Sequence, residues 1–498
     1  MFTGTESTAV FLVVFAAFVV LTWSYNRSKV YGKLGVLAWL QSVVLMAPWL
    51  IFFALFAVGI YLSLVGVLAL LLVSIGIYIW IGKKLRAAGQ NLITQQKAAA
   101  RIEAEEESKS SIQIDSGEKS EVEEIVPIPD EDLIKIKGVF GIDTFFSTET
   151  IPYQEGAIFK GNLRGEAAVA HQRMSDKLQG ELGEKYRLFL VDSPEGKPIV
   201  VVLPSKNDPP IMTLAQKNLA LVLVVATIIT SLEAAGLLLG FDLSSNLGRY
   251  PETISLSLGL WSILIAHEIG HWLVAKRHNI KLSLPFFLPS WQIGAFGAIT
   301  RFETLLPNRT VLGDISLAGP ALGGLTSLVL LIIGMTISHP GSILQIPTEF
   351  FRASFLVGGL GKVILGSALE ESIVDVDPLV IVGWLGLVIT ALNMLPAGKL
   401  DGGRVVHAIY GRKTARRATV ATLIILGIIS LANPGNPIPL YWAILIIFLQ
   451  RDLERPTLNE LTEPDDTRAA WALIGLFLML SILIPLNSSL AGNLGIGG

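Results

Sequence analysis

The sequence predicts a mainly α protein: a polytopic transmembrane helical bundle of about ten spans, with a re-entrant hairpin and a small soluble α/β domain. Three observations predict it. The chain of 498 residues is 52% hydrophobic and 16% charged, with a mean hydropathy of +0.60. An ordinary soluble protein is less apolar, at about 45–50% with Gly included. Most of its apolar runs approach spanning length, about 20 residues, and the basic loops between them alternate as one topology requires. One polar stretch, Lys83 to Pro210, interrupts the runs. The formal charge of -3 is too small to suggest nucleic-acid binding, so no nucleic-acid partner is expected. Cys is absent, which excludes disulfides, thiolate metal ligands and a cysteine nucleophile.

Residues 1–82 are expected to hold the N-terminal transmembrane helices. Thr8 to Trp23 is just long enough to span, and Leu37 to Ile81 is long enough to cross twice, turning near Gly59 to Ser63. Arg27, Lys29 and Lys33, and then Lys83, Lys84 and Arg86, mark the cytoplasmic ends. No basic region precedes the first apolar run, so a cleaved signal peptide is not expected, nor is an Arg- and Ser-rich import leader. Residues 83–132 read as a helix leaving the membrane and then a flexible linker, because Glu103 to Asp132 is acidic, Ser-rich and poor in aromatics. Residues 133–213 read as a soluble cytoplasmic α/β domain. Ala167 to Leu182 has helical composition. Tyr186 to Val191 and Ile199 to Leu203 are β-branched and aromatic runs joined by the turn Ser193 to Lys197, and Ile142 to Tyr153 could add a strand.

Residues 214–418 form the expected core. Leu219 to Gly240 spans. Ser255 to Val274 spans back, ending at Lys276, Arg277, His278 and Lys281, so its polar residues should lie in the cytoplasmic half of the bilayer. Leu282 to Arg301 is apolar but broken by Pro285, Pro289, Gly294 and Gly297, so it cannot be one helix. A hairpin re-entering the bilayer beside the site is expected, with a surface loop as the other reading. Val311 to Met335 is a Gly-rich span suited to close helix packing. His339 to Asp377 should be outside, with a partial helix at Ala353 to Gly366. Leu379 to Leu395 spans inward, and Pro396 to Arg417 reads as a basic cytoplasmic loop. Residues 419–498 carry the last spans, Val420 to Ala432, Ile438 to Leu449 and Ala469 to Ile484.

The chemistry centres on Trp261 to Lys276, WSILIAHEIGHWLVAK. His267 and His271 are four apart, hence on one helix face, and can bind one metal ion. Glu268 begins the turn between them, within reach of a water activated by that metal. An ionisable residue inside such an apolar helix costs about 2.5–3.5 kcal/mol on insertion scales, so three on one helix need a reason. A catalytic zinc usually takes a third protein ligand. The best candidate is Asp401 in NMLPAGKLDGGR, Asn393 to Arg404, where Pro396 breaks the span and Gly402 and Gly403 permit close approach. The other reading of Asp401 is a turn or capping residue, as most D-G pairs are.

His267-Glu268-Ile269-Gly270-His271, with Asn393, Pro396 and Asp401-Gly402-Gly403, resembles the site-2 protease family of intramembrane zinc metalloproteases. Gly161 to Glu166 (GNLRGE), Gly294 to Thr300 (GAFGAIT) and Asp314 to Pro320 (DISLAGP) narrow it to the EGY branch, the ethylene-dependent gravitropism-deficient and yellow-green proteins and their prokaryotic relatives. The resemblance covers about Leu133 to Lys413. It implies Zn2+ held by His267, His271 and Asp401, with Glu268 as general base, acting on transmembrane protein substrates within the lipid bilayer. It also implies an integral multi-pass protein, expected in a prokaryotic cell membrane, with the active site toward the cytoplasm. Asn393 is a candidate oxyanion donor, against the alternative of a helix-packing hydrogen bond. Gly294, Ala295, Phe296, Gly297 and Ala298 are candidates to bind an unwound substrate by strand addition, against a strand that only packs. For GNLRGE, an Arg164–Glu166 pair or a glycine-shaped turn are the readings. His278, His339 and His407 are expected to be bystanders, and His171 to be on the surface.

Two rivals stand beside a protease. A catalytically silent membrane chaperone or scaffold of the same fold is disfavoured by the intact His267, Glu268, His271 and Asp401. A transporter with broken helices predicts two repeated halves, and no internal repeat is visible.

Overall fold

The computed structural model describes residues 128–496, apart from positions 154, 194, 292, 434, 437 and 451, together with scattered positions between 22 and 84. The spans expected in 1–82 and the linker expected up to Asp132 fall almost wholly outside the described residues. Residues 123–243 and 248–498 form one compact unit.

That unit begins with the small α/β domain. Helix α1 (Asp130–Val139) starts within the last residues of the expected linker. Strands β1 (Phe145–Tyr153) and β2 (Gly156–Leu163) follow, then helix α2 (Ala167–Leu182), β3 (Tyr186–Asp192) and β4 (Pro198–Pro204). The sheet order is β1-β2-β4-β3, antiparallel throughout. Alternation along the strands turns Phe145, Phe159, Leu190, Val200 and Val202 inward, where they meet Ile136 of α1 and Met174 and Leu178 of α2. Helix α2 buries Ala170, His171, Met174 and Leu178, a stripe at helical spacing. The α2 and β3–β4 expectations hold. β2 was not expected, and it explains half of GNLRGE: a Cβ on Gly161 would lie 2.1 Å from the Phe146 carbonyl oxygen of the paired strand. Gly165 supplies a positive φ of 78° ahead of α2, and among the described residues no ion pair joins Arg164 to Glu166.

The rest is mainly helical. Helices α3 (Leu214–Leu238) and α4 (Tyr250–Arg277) lead to a two-stranded hairpin, β5 (Phe286–Ser290) and β6 (Gly294–Ile299). Then come α5 (Arg309–Ile337), β7 (Leu344–Pro347), α6 (Phe355–Leu365), β8 (Ile373–Val376) and α7 (Pro378–Asn393). Helices α8 (Asp401–Ala432), α9 (Ile438–Leu445), α10 (Asp466–Leu483) and α11 (Ser488–Asn493) complete the chain. Among the described residues, five helices are long and apolar enough to cross a membrane: Gln216–Leu238, Leu247–Arg277, Arg309–Ile337, Asp401–Ala432 and Asp466–Leu483. Two apolar helices are shorter, Pro378–Asn393 and Ile438–Phe448. Their outward faces are apolar, with Leu221, Ile269, Trp272, Leu325, Ile428 and Phe477 all exposed. Water would penalise apolar exposure on that scale, and lipid does not. The expected loop from Pro396 to Arg417 is a correction: α8 already begins at Asp401, with a break at Gly411, whose φ is 76°.

Segment 452–463, between α9 and α10, returns to the soluble domain. Leu190 N–H donates to the Leu458 carbonyl, and Glu460 N–H to the Leu190 carbonyl, so the segment covers the open edge of β3. Leu458 and Asn459 N–H groups donate to the Leu306 and Pro307 carbonyls before α5. Backbone bonds thus tie the sheet to the helical layer.

Candidate active site

Helix α4 brings His267 and His271 onto one face, with ring centroids 4.9 Å apart. Helix α8 places Asp401 in its first turn, facing them. Nε2 of His267 lies 3.1 Å from Nε2 of His271. Asp401 Oδ2 lies 3.2 Å from the first and 3.4 Å from the second. All three residues are buried. The chain turns sharply to deliver Asp401: a Cβ on Gly402 would lie 1.8 Å from the Met394 carbonyl oxygen, so only glycine fits.

The donor set fits zinc. Ligands at about 2.0–2.2 Å in a tetrahedral arrangement sit about 3.3–3.6 Å from one another, close to the three distances observed. His271 Nδ1–H donates to the Ile315 carbonyl at 2.8 Å, which leaves the Nε2 lone pair for a metal. Among the described residues this is the one cluster of three such groups that could hold an ion. Helix α5 packs on the histidines through small residues. A Cβ on Gly319 would lie 2.2 Å from His271 Nε2, and one on Gly323 2.9 Å from His267 Cβ. The DISLAGP stretch therefore has two tasks: Gly319 makes room for a histidine, and Asp314 binds Arg468 at the start of α10, at 2.9 Å.

Glu268 lies beside the cluster, and Thr300 Oγ1 donates to its Oε2 at 2.7 Å. A narrow cleft is lined by His267, Glu268, Gly297, Ala298, Thr390 and Asn393, with Ile263, Phe287 and Ile389 as apolar wall. A second is more polar and is lined by Glu268, His271, Asp401, Thr300, Lys399, Arg404 and Gln450. Asn393 and Ala298 border both. Asn393 Nδ2 donates to the Ile389 carbonyl at 3.0 Å, one turn back on its own helix. β5 and β6 pair as a hairpin, with Phe287 opposite Ala298 and Pro289 opposite Ala295. Gly297 has a φ of 104°, and a Cβ there would lie 2.6 Å from Asn393 Nδ2. Gly294, Ala295 and Gly297 are buried, while Phe296 stacks on Tyr441 at 4.5 Å.

Two histidine expectations are corrected. His171 is buried and bonds the Leu188 carbonyl at 3.2 Å, because α2 lies flat on the sheet. His407 is buried one face further along α8, with Nε2 3.0 Å from Glu460 Oε2 of segment 452–463. Residues not singled out from the sequence are Thr300, Arg404 and Glu454. Arg404 Nη2 donates to the Thr300 carbonyl at 2.9 Å and meets Glu454 Oε2 at 2.8 Å. Burial works to raise the Glu454 carboxyl, but the Arg404 and Lys399 charges, with hydrogen bonds from Arg404 and the Arg455 backbone, together hold the group below the ordinary glutamate value.

Residues 134–209 match the family described as EGY3 middle domain, and residues 255–432 match Peptidase family M50. The chain is 38% identical over 384 residues to the Arabidopsis thaliana protein named "Probable zinc metalloprotease EGY2, chloroplastic", covering 75% of this chain and 68% of that one. It is 40% identical over 385 residues to the Oryza sativa subsp. indica protein of the same name, covering 75% and 70%. It is 35% identical over 434 residues to the Arabidopsis "Probable zinc metalloprotease EGY1, chloroplastic", covering 78% and 77%. No solved structure matches the chain. The relatives' chloroplastic names conflict with the prokaryotic cell membrane expected from the sequence. The placement as an integral membrane protein stands.

Proposed function

Because the chain belongs to peptidase family M50, in the branch of the EGY zinc metalloproteases, we propose that it cleaves peptide bonds within the membrane-spanning segments of other membrane proteins. Membership makes it a site-2 protease-like zinc metallopeptidase. Cleavage inside the bilayer is the step added here. The observation that carries it is the buried His267–His271–Asp401 cluster, carried by two helices long and apolar enough to span, with Glu268 alongside.

Zinc in that cluster would supply Lewis acidity, lowering the pKa of water to about 7 and polarising a carbonyl. Glu268 is the general base. With Oε2 held by Thr300, Oε1 is left to take the proton of the attacking water and pass it to the leaving amine. Asn393 uses one amide N–H on Ile389; the other is directed to the oxyanion of the tetrahedral intermediate. Residues Gly294, Ala295, Phe296, Gly297 and Ala298 receive the substrate. A helix in lipid hides its carbonyls, and each group left unpaired there costs several kcal/mol. Among the described residues β6 has a partner strand on one edge only, and Ala298 borders both clefts, so an opened substrate can add as a strand beside the base.

The wider architecture follows the same reading. Among the described residues, the soluble domain at 133–213 precedes a protease core that begins at 214. The hairpin re-enters the bilayer from the side carrying the basic loops, which the positive-inside rule makes cytoplasmic. The intact base and ligand set disfavours a silent scaffold.

The test is incubation of purified full-length chain with a membrane fraction of single-span proteins, beside Glu268→Gln. Fragments cut within spans should appear with wild type and be absent with Glu268→Gln. Equal cleavage by the two would remove Glu268 from the chemistry.

A further inference from the structure

We propose that Thr300, held by Arg404 and Glu454, is the positioning residue that aims the Glu268 carboxylate at the metal cluster. The inference rests on the proteolytic reading above. Glu268 is only half-buried, and an unbound glutamate distributes itself over several staggered rotamers. Thr300 Oγ1 donates to Oε2 at 2.7 Å. A hydroxyl that donates there selects one rotamer and leaves the other oxygen to accept a proton.

The hydroxyl is useful only if its own backbone is fixed relative to the zinc ligands. Thr300 is buried immediately after β6, and its carbonyl accepts from Arg404 Nη2 at 2.9 Å. The same guanidinium is buried and bonds Glu454 Oε2 through Nε at 3.0 Å. Its Nη1 stands 3.9 Å from Asp401 Oδ1, and Phe302 stacks against it at 4.7 Å. Arg404 follows Asp401 by one helical turn, so one planar group joins the helix of the third ligand, the strand bearing Thr300 and segment 452–463. The position of the base is thereby referred to the position of a ligand. A purely packing role would use only the threonine methyl, which valine reproduces.

The experiment uses full-length chain carrying Thr300→Val, Thr300→Ser or Arg404→Lys, with zinc measured by elemental analysis and kcat and KM measured on a full-length membrane substrate. Thr300→Val should retain zinc, lose about 10- to 100-fold in kcat, part of what a general base contributes, and keep KM within about 2-fold. Thr300→Ser should restore most of kcat. Wild-type kcat in zinc-loaded Thr300→Val overturns the inference. If Thr300→Val does not fold, Arg404→Lys carries the test: lysine keeps the charge beside Glu454 but cannot also hold the Thr300 carbonyl, so kcat should fall with zinc retained, and an unchanged kcat overturns the proposal. Wild type that cuts nothing overturns the proteolytic reading and this inference with it. Active wild type matched by Thr300→Val overturns this inference alone.

Discussion

A single methyl at Gly319 would stand 2.2 Å from His271 Nε2, closer than any non-bonded pair allows. The histidine would have to swing away from Asp401, breaking the Nδ1 bond to Ile315 as well. Gly319→Ala should therefore weaken zinc binding by about 10–100-fold or more, the scale seen when the support of a ligand is lost. A competition assay against a chelator measures it, and wild-type affinity would show that helix α5 yields. The grouping of His267, His271 and Asp401 was legible in part: the histidines recur at one helical turn, while Asp401, which reads equally as a turn residue, was singled out by the resemblance. Thr300 was not legible. It closes the Gly294 to Thr300 motif, but a threonine just past a strand is ordinary in any sheet, and its role shows only in the 2.7 Å contact with Glu268.

At the scale of elements, composition read well where one environment surrounds a segment. Helix α2 and strands β3 and β4 stand close to where their patterns put them. Strand β2 was missed because GAIFKGNL carries two glycines and a lysine, which mask alternation, and the start of α8 was missed because its basic residues read as a loop. His171 shows the cost of judging burial from one residue. Burial lowers its pKa below the ordinary 6.5, against the opposing bond to the Leu188 carbonyl. The unfolded chain takes up its proton near 6.5 while the fold resists, so the stabilisation is complete above that value and falls as pH drops below it. Amides of β3 and α2 should exchange hydrogen faster as pH falls from about 6.5 to 5 once the intrinsic rate is corrected for. His171→Gln should flatten that dependence. An unchanged slope would place the titration elsewhere.

For the whole molecule, segment 452–463 joins the sheet to the helical layer at both Leu190 and Leu306, so the two should share a side of the membrane. The chain has no cysteine of its own. A Cys introduced at Ser193 should be shielded from an impermeant thiol reagent in intact cells and labelled after lysis. Labelling from outside would invert the topology. The clearest measurement of the central claim is zinc per chain in purified wild type, Glu268→Gln and Asp401→Ala. The account predicts about one zinc in the first two and its loss in the third. Full occupancy in Asp401→Ala would contradict it and send the search for the third ligand to another helix.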